Sequence, residues 1–184
     1  HRATVAIVGK YVANGDAYIS IGEAVKHGGI ANNTGINIKW IDSEDIEEQG
    51  TESLLSDAEA IICAGGFGAR GTEGKISAIK YAREKGIPYL GLCYGLQMAV
   101  IEYARHVCGL ENANTEEIDP GGPHPVIHIM PEQQSIKTKG ATMRLGVYPC
   151  RVTAGTLAWI LVVRVRVFEL HRHRYEVNNA YREA

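Results

Sequence analysis

Cys93 stands in the run Tyr89-Leu90-Gly91-Leu92-Cys93-Tyr94-Gly95-Leu96-Gln97, which reads as a β-strand carrying a thiol into a turn that opens directly into a helix. Glycines on either side let the backbone bend sharply, so the residue between them is pushed out over the carboxyl edge of a sheet. That is the layout of a nucleophile elbow. A helix N-terminus behind the sulfur favours negative charge, so a lowered thiol pKa is expected. Cys63, Cys108 and Cys150 lack such a setting and read as inert thiols; no CxxC pair or zinc-type spacing links the four.

One strand earlier lies Gly65-Gly66-Phe67-Gly68-Ala69-Arg70-Gly71-Thr72-Glu73-Gly74-Lys75. Gly66, Gly68 and Gly71 fit the G-x-G-x-x-G pattern, but a dinucleotide site places that loop after the first strand, with an acidic strand end about 20 residues on. A phosphate-binding P-loop fails as well, with Ala69 where glycine is required and Ile76 where Ser or Thr is required. A third use suits the chemistry. Glycine N–H groups can approach a ligand carbonyl and form half of an oxyanion hole, the other half being the N–H after the nucleophile. Gly66 and Tyr94 are the candidates.

The elements needed to hold these two loops on one edge are legible as an alternation of β-branched runs and helical periodicity, the pattern of a parallel sheet flanked by helices. Strands are expected at Thr4–Val8, Ile36–Ile41, Ala60–Ala64 and Pro88–Cys93, and helices at Tyr18–His27, Lys75–Lys85 and Leu96–Val107. The strands are almost continuously apolar, which predicts burial on both faces. Beyond Gly109 the rhythm breaks, with extended segments around Pro125–Met130, Thr142–Cys150 and Val162–Phe168. The fold class is α/β, with antiparallel or irregular strands added after residue 110 and no linker marking a boundary: one domain over 1–184.

The 184 residues are 45% hydrophobic and 22% charged with a net charge of −2, which suits a globular domain and gives no bulk attraction to nucleic acid or anionic membrane. No apolar stretch reaches membrane-spanning length and no signal-peptide pattern opens the chain. A reduced, cytoplasmic setting is expected. His171 and His173, or His124 and His128, lack a third ligand of suitable spacing, so no metal site is expected. Arg164, Arg166, Arg172 and Arg174 read as a charged strand edge.

Several segments carry a family resemblance: "GKYV", "DAY", "EAVKHGG", "GGFGARGTEGK", "YAREKGIPYLGLCYGLQMAVIEYAR", "ENANTEE", "PVIHIMPEQ", "TMRLG" and "HRHRYEVNN". In order and spacing they resemble the class I, triad-type glutamine amidotransferases, and within them the glutaminase domains of the CTP synthases. The resemblance implies a flavodoxin-like amidotransferase fold in which Cys93 attacks the side-chain amide of L-glutamine, forms a γ-glutamyl thioester and releases ammonia. It implies Gly66 and Tyr94 as oxyanion holders, and glutamine binding by Gly66, Tyr94, Gly95, Leu96, Gln97, Glu117 and Arg174, with Glu116 a neighbouring alternative to Glu117. An anion and a planar cation suit the ammonium and carboxylate of free glutamine.

The resemblance further implies no cofactor in this domain, ATP and Mg²⁺ for a synthetase domain that these residues do not include and that aminates UTP to CTP, GTP as an allosteric effector, and a tetramer at full length. It implies a histidine base and an orienting glutamate in a His-Pro-Glu motif near the C-terminal end. The 184 residues contain no such motif, so the domain reads as incomplete and, on its own, nearly inactive; loss of the base from an analogous triad costs about 10⁶ in kcat. Alternatives are a non-catalytic glutamine- or partner-binding module and another cysteine hydrolase on the same fold. Trp159–Val167 is more apolar and strand-like than the resemblance implies.

Overall fold

The computed structural model describes residues 1–135 and 143–183. Its contacts gather into two compact units, residues 1–128 with 177–184, and residues 129–176.

In the first unit a four-stranded parallel sheet runs in the order β2-β1-β3-β4, with β1 Arg2–Gly9, β2 Gly35–Asp42, β3 Ala60–Cys63 and β4 Tyr89–Gly91. β1 is central and its Val5–Val8 core is buried, Ile7 and Val8 completely, each such side chain contributing about 1.5–3 kcal/mol. Burial on both faces holds for β1 but not for β2, an edge strand whose Trp40 is 44% exposed. Helix α1 (Ile19–Ala31) lies over one face, where Ile21 and Val25 join Ile7, Ile38 and Ile62. Successive strand residues point to opposite faces, so Cys63 looks the other way, toward α5 (Tyr94–His106), which packs beside α4 (Thr72–Lys85).

The two helices that position the site are fixed to one another by an ion pair whose carboxylate is buried and whose guanidinium is partly exposed. Glu102 of α5 is 1% exposed and receives Arg83 of α4 through both Nε and Nη2 at 2.8–3.2 Å. Removing one partner of such a pair would leave an uncompensated buried charge. α4 ends in a glycine cap, Gly86 at φ 67°, with the Ile87 N–H returning to Ala82 O. Two short helices, α2 (Ser43–Gln49) and α3 (Thr51–Leu55), fill the polar stretch between the second and third strands; it has no apolar stripe, and its signal is the Asp42 cap accepting the Glu44 N–H. β5 (Ala113–Thr115) pairs in parallel with β6 (His124–Ile129).

The second unit is dominated by an antiparallel hairpin of β7 (Arg144–Arg151) and β8 (Arg166–His173), with α6 (Leu157–Val162) between them and β9 (Tyr175–Val177) following. The expected strand at Val162–Phe168 is corrected. Thr156 caps a helical turn by accepting the Trp159 N–H at 3.3 Å, Val163 adopts φ 54°, and extended backbone resumes only at Arg166. Thr142, at the edge of another expected strand, lies outside the described residues. Among the described residues no helix is long and apolar enough to cross a membrane, and no cluster of His, Cys, Asp or Glu could hold a metal ion.

Candidate active site

In an open parallel sheet, ligand sites form outside the carboxyl ends of the strands where the strand order reverses. In this sheet the reversal lies between β1 and β3, and three chain segments leave the same edge: Lys10 after β1, Ala64–Gly68 after β3, and Leu92–Cys93 after β4. The sheet ladder ends at the Cys63–Gly91 pair, so Cys93 stands just past it.

The elbow is built as the glycine spacing predicts. Cys93 has φ 53° and ψ −105°, a conformation that non-glycine residues adopt only when their surroundings impose it. Its glycines have no room for a side chain. A Cβ on Gly91 would come within 2.7 Å of Leu96 N, and one on Gly95 within 2.2 Å of Cys63 O. These contacts press the first turn of α5 onto the end of β3 and drive the Cys93 side chain outward, where it is exposed.

The Gly65–Gly68 loop lies against that side chain: a Cβ on Gly65 would be 3.6 Å from Cys93 Cβ. Gly66 is buried beside Lys10, and among the described residues its N–H has no acceptor. On the elbow side, the Gly95 N–H is taken by Leu92 O at 2.9 Å, whereas the Tyr94 N–H is directed at the Cys93 sulfur. Glu117 is brought to the same edge, with Oε1 accepting the Gly68 N–H at 2.9 Å and its charge acting on Cys93. The Glu117 carboxylate thus reaches the loop. Gln97 is buried in the first turn of α5 and Leu96 is 53% exposed beside it. Arg174 belongs to the second unit, where it is buried and its Nη1 donates to Gln133 Oε1 at 2.8 Å.

The expected lowering of the Cys93 pKa is overturned. The thiol reaches the surface, but protein atoms crowd its flanks, and this desolvation pushes its pKa above the ordinary value. The Tyr94 N–H and the Lys75 ammonium pull it back down, and Glu117 pushes it up. Cys63, fully buried one strand away, is pushed to about 11, chiefly by desolvation, which fits the inert reading. All four cysteines are free.

Three site residues were missed at the level of sequence. Lys75 is completely buried on α4; its Nζ donates to Ala64 O, and burial lowers its pKa to about 8. Lys10 is 3% exposed and its Nζ donates to Phe67 O and to Gly68 O, the latter at 2.7 Å. The two ammonium groups lie 5.3 and 5.5 Å from the centroid of the Tyr94 ring. Tyr94 in turn donates from its hydroxyl to Gly68 O at 2.9 Å. Tyr18, the third, donates to Gly65 O at 3.1 Å. A signal existed for Lys75: it occupies the i, i+4, i+7 stripe with buried Ile79 and Ala82, where a lysine is out of place.

Comparison with known proteins places the chain in a family. The model for the family "Glutamine amidotransferase class-I" matches residues 14–184. The chain is 57% identical over 183 residues to a CTP synthase of Caldanaerobacter subterraneus subsp. tengcongensis, covering 100% of this chain and 34% of that protein. With a CTP synthase of Thermosynechococcus vestitus it shares 58% identity over 178 residues, covering 97% and 33%. The chain thus spans about a third of the curated relatives it matches. Among solved structures, the glutaminase domain of Trypanosoma brucei CTPS with bound acivicin superposes with a TM-score of 0.87 at 38% identity, covering 98% of this chain and 70% of that one. The chain belongs to the class-I glutamine amidotransferases, as a glutaminase domain of the CTP synthase kind.

Proposed function

We propose that the site hydrolyses L-glutamine and that the ammonia serves the amination of UTP to CTP. The observation that carries the proposal is the juxtaposition of an exposed thiol on a strained elbow with the open N–H of Gly66 and the carboxylate of Glu117. Cys93 Sγ attacks the δ-carbon of the glutamine amide. As the C–S bond forms, charge moves to the amide oxygen, where the Gly66 and Tyr94 N–H groups receive it; each such donor is worth about 10²–10³ in rate. Collapse expels the nitrogen as ammonia once protonated, leaving a γ-glutamyl thioester that water hydrolyses to glutamate. Glu117 supplies the anion for the substrate ammonium, and a planar cation for its carboxylate is the role that the family resemblance assigns to Arg174.

His106, paired with Glu102 at 3.2 Å, resembles a base with its orienting carboxylate. It sits at the far end of α5, about 20 Å along the helix from Cys93 at 1.5 Å per residue, and cannot take the thiol proton. The test is therefore set in the full-length polypeptide. In the same reading the consumer of ammonia is a synthetase region that uses ATP and Mg²⁺, with GTP as effector and a tetrameric assembly; what supports a further region is that the chain spans 34% of a CTP synthase to which it is 57% identical. Cys93→Ala should reduce glutamine hydrolysis to background while ammonia-dependent CTP formation persists. Undiminished glutamine hydrolysis by that variant would rule the proposal out.

A further inference from the structure

The Gly65-Gly66 pair has the widest backbone freedom of any dipeptide, yet the proposed mechanism needs the peptide between them to point one way. If it turned over, the Gly65 carbonyl would face the developing oxyanion in place of the Gly66 N–H. Something must hold it. The Gly65 carbonyl accepts a hydrogen bond from the Tyr18 hydroxyl at 3.1 Å. Across a trans peptide, C=O and N–H point in opposite directions, so fixing that carbonyl on Tyr18 aims the Gly66 N–H away from Tyr18. The hydroxyl is itself fixed, since it accepts the Lys10 N–H at 3.1 Å. Lys10 N–H, Tyr18 O–H and Gly65 C=O thus form a chain in which each bond polarises the next.

The rest of the loop is held similarly. Lys75 takes Ala64 O, Lys10 takes Phe67 O and Gly68 O, and the Tyr94 hydroxyl also reaches Gly68 O. Every one of these donors is a side chain at least nine-tenths buried. Tyr18 is the one that holds the peptide whose N–H the oxyanion would use, and its ring is kept in place by stacking on Trp40 at a 10° interplanar angle and by closing against Gly9, where a Cβ would sit 2.4 Å from the ring.

From this geometry we infer that Tyr18 is a positioning residue of the oxyanion hole, its hydroxyl setting the direction of the Gly66 N–H. The inference rests on the proposed glutaminase reaction. Tyr18→Phe removes the hydroxyl and keeps the ring that does the packing. In the full-length polypeptide this variant should lower kcat for glutamine hydrolysis about tenfold or more, a share of the 10²–10³ that one oxyanion donor supplies, with KM for glutamine nearly unchanged. Alkylation of Cys93 by iodoacetamide forms no oxyanion, and its rate should stay at the wild-type value. Unchanged kcat in Tyr18→Phe, with Cys93→Ala inactive, overturns the role of Tyr18 alone. A parallel fall in alkylation and kcat also overturns it, since Tyr18 would then be holding the elbow as a whole. Full activity in Cys93→Ala overturns the underlying reaction and this role with it.

Discussion

Cys63 and Cys93 end neighbouring strands of one sheet, and they meet opposite fates. Cys63 is the last paired residue of β3, completely buried, with desolvation raising its pKa to about 11. Cys93 lies two residues past Gly91, the β4 partner of Cys63, in a positive-φ conformation with its side chain exposed. The residue type is the same, and so is the edge of the sheet. What separates them is the pair of glycines that lets α5 begin almost in contact with β3, turning Cys93 outward while sealing Cys63 beneath Gly95. Reactivity at this edge is set by backbone geometry first and by thiol acidity second, since burial raises both pKa values.

The largest effect on that contrast should come from Gly95→Ala. Its methyl group would meet Cys63 O at 2.2 Å, a backbone atom that cannot swing aside, so β3 and α5 must part. A loss of about 3 kcal/mol or more is expected, read as a drop in denaturation midpoint, with Cys63 becoming open to alkylation. Unaltered stability would show that the close approach of the two elements does not hold the elbow.

Next in size is the difference in labelling. Iodoacetamide should modify Cys93 in the native protein and leave Cys63 untouched until it unfolds. Because burial raises the Cys93 pKa, its labelling rate should keep climbing at pH values where an ordinary thiol has levelled off. Peptide mapping over a pH series checks both; a rate that levels off at neutral pH would contradict an upward shift of the Cys93 pKa.

The smallest effect concerns Lys75, which faces Cys63, Lys10, Cys93 and Asp42. Its pKa falls from 10.5 to about 8 on burial. Between those values the unfolded chain holds the extra proton, so stability rises with pH, by up to about 1.4 kcal/mol per unit. Cys63 acts oppositely above its ordinary 9.0, because its folded pKa of about 11 makes the unfolded chain lose the proton first. Cys63 therefore leaves the window of about pH 8 to 9 unopposed, and Lys10, its pKa lowered chiefly by burial, acts in the same direction as Lys75. Denaturant titrations should show stability increasing there, and Lys75→Met should flatten the rise; an equal rise in the variant would assign it to another group.

Much of this is legible in the chain itself. Strand-length apolar runs locate the four parallel strands to within a few residues, and Gly91 and Gly95 mark the elbow because only a residue without Cβ fits those contacts. Local pattern cannot show what depends on assembly. Tyr18 sits at the start of α1, Lys10 just past β1 and Lys75 on α4; they meet only when those elements pack against β3, so their grip on the loop carbonyls leaves no spacing to read. The direction of the Cys93 pKa shift is hidden for the same reason: a helix N-terminus is visible in sequence, whereas the surrounding atoms that desolvate the sulfur are not. α6 resembles a strand in sequence because the apolar run through it continues into β-branched Val162, Val163 and Val165, a pattern that masks its Thr156 cap.

The central claim is that Cys93, alone of the four thiols, forms the covalent bond to glutamine. Mixing the full-length polypeptide with glutamine, quenching in acid within one turnover and mapping the cysteine peptides by mass spectrometry tests it directly. A γ-glutamyl adduct confined to the peptide bearing Cys93 is the predicted result. An adduct on Cys63, Cys108 or Cys150, or hydrolysis proceeding with no adduct at all, would contradict it.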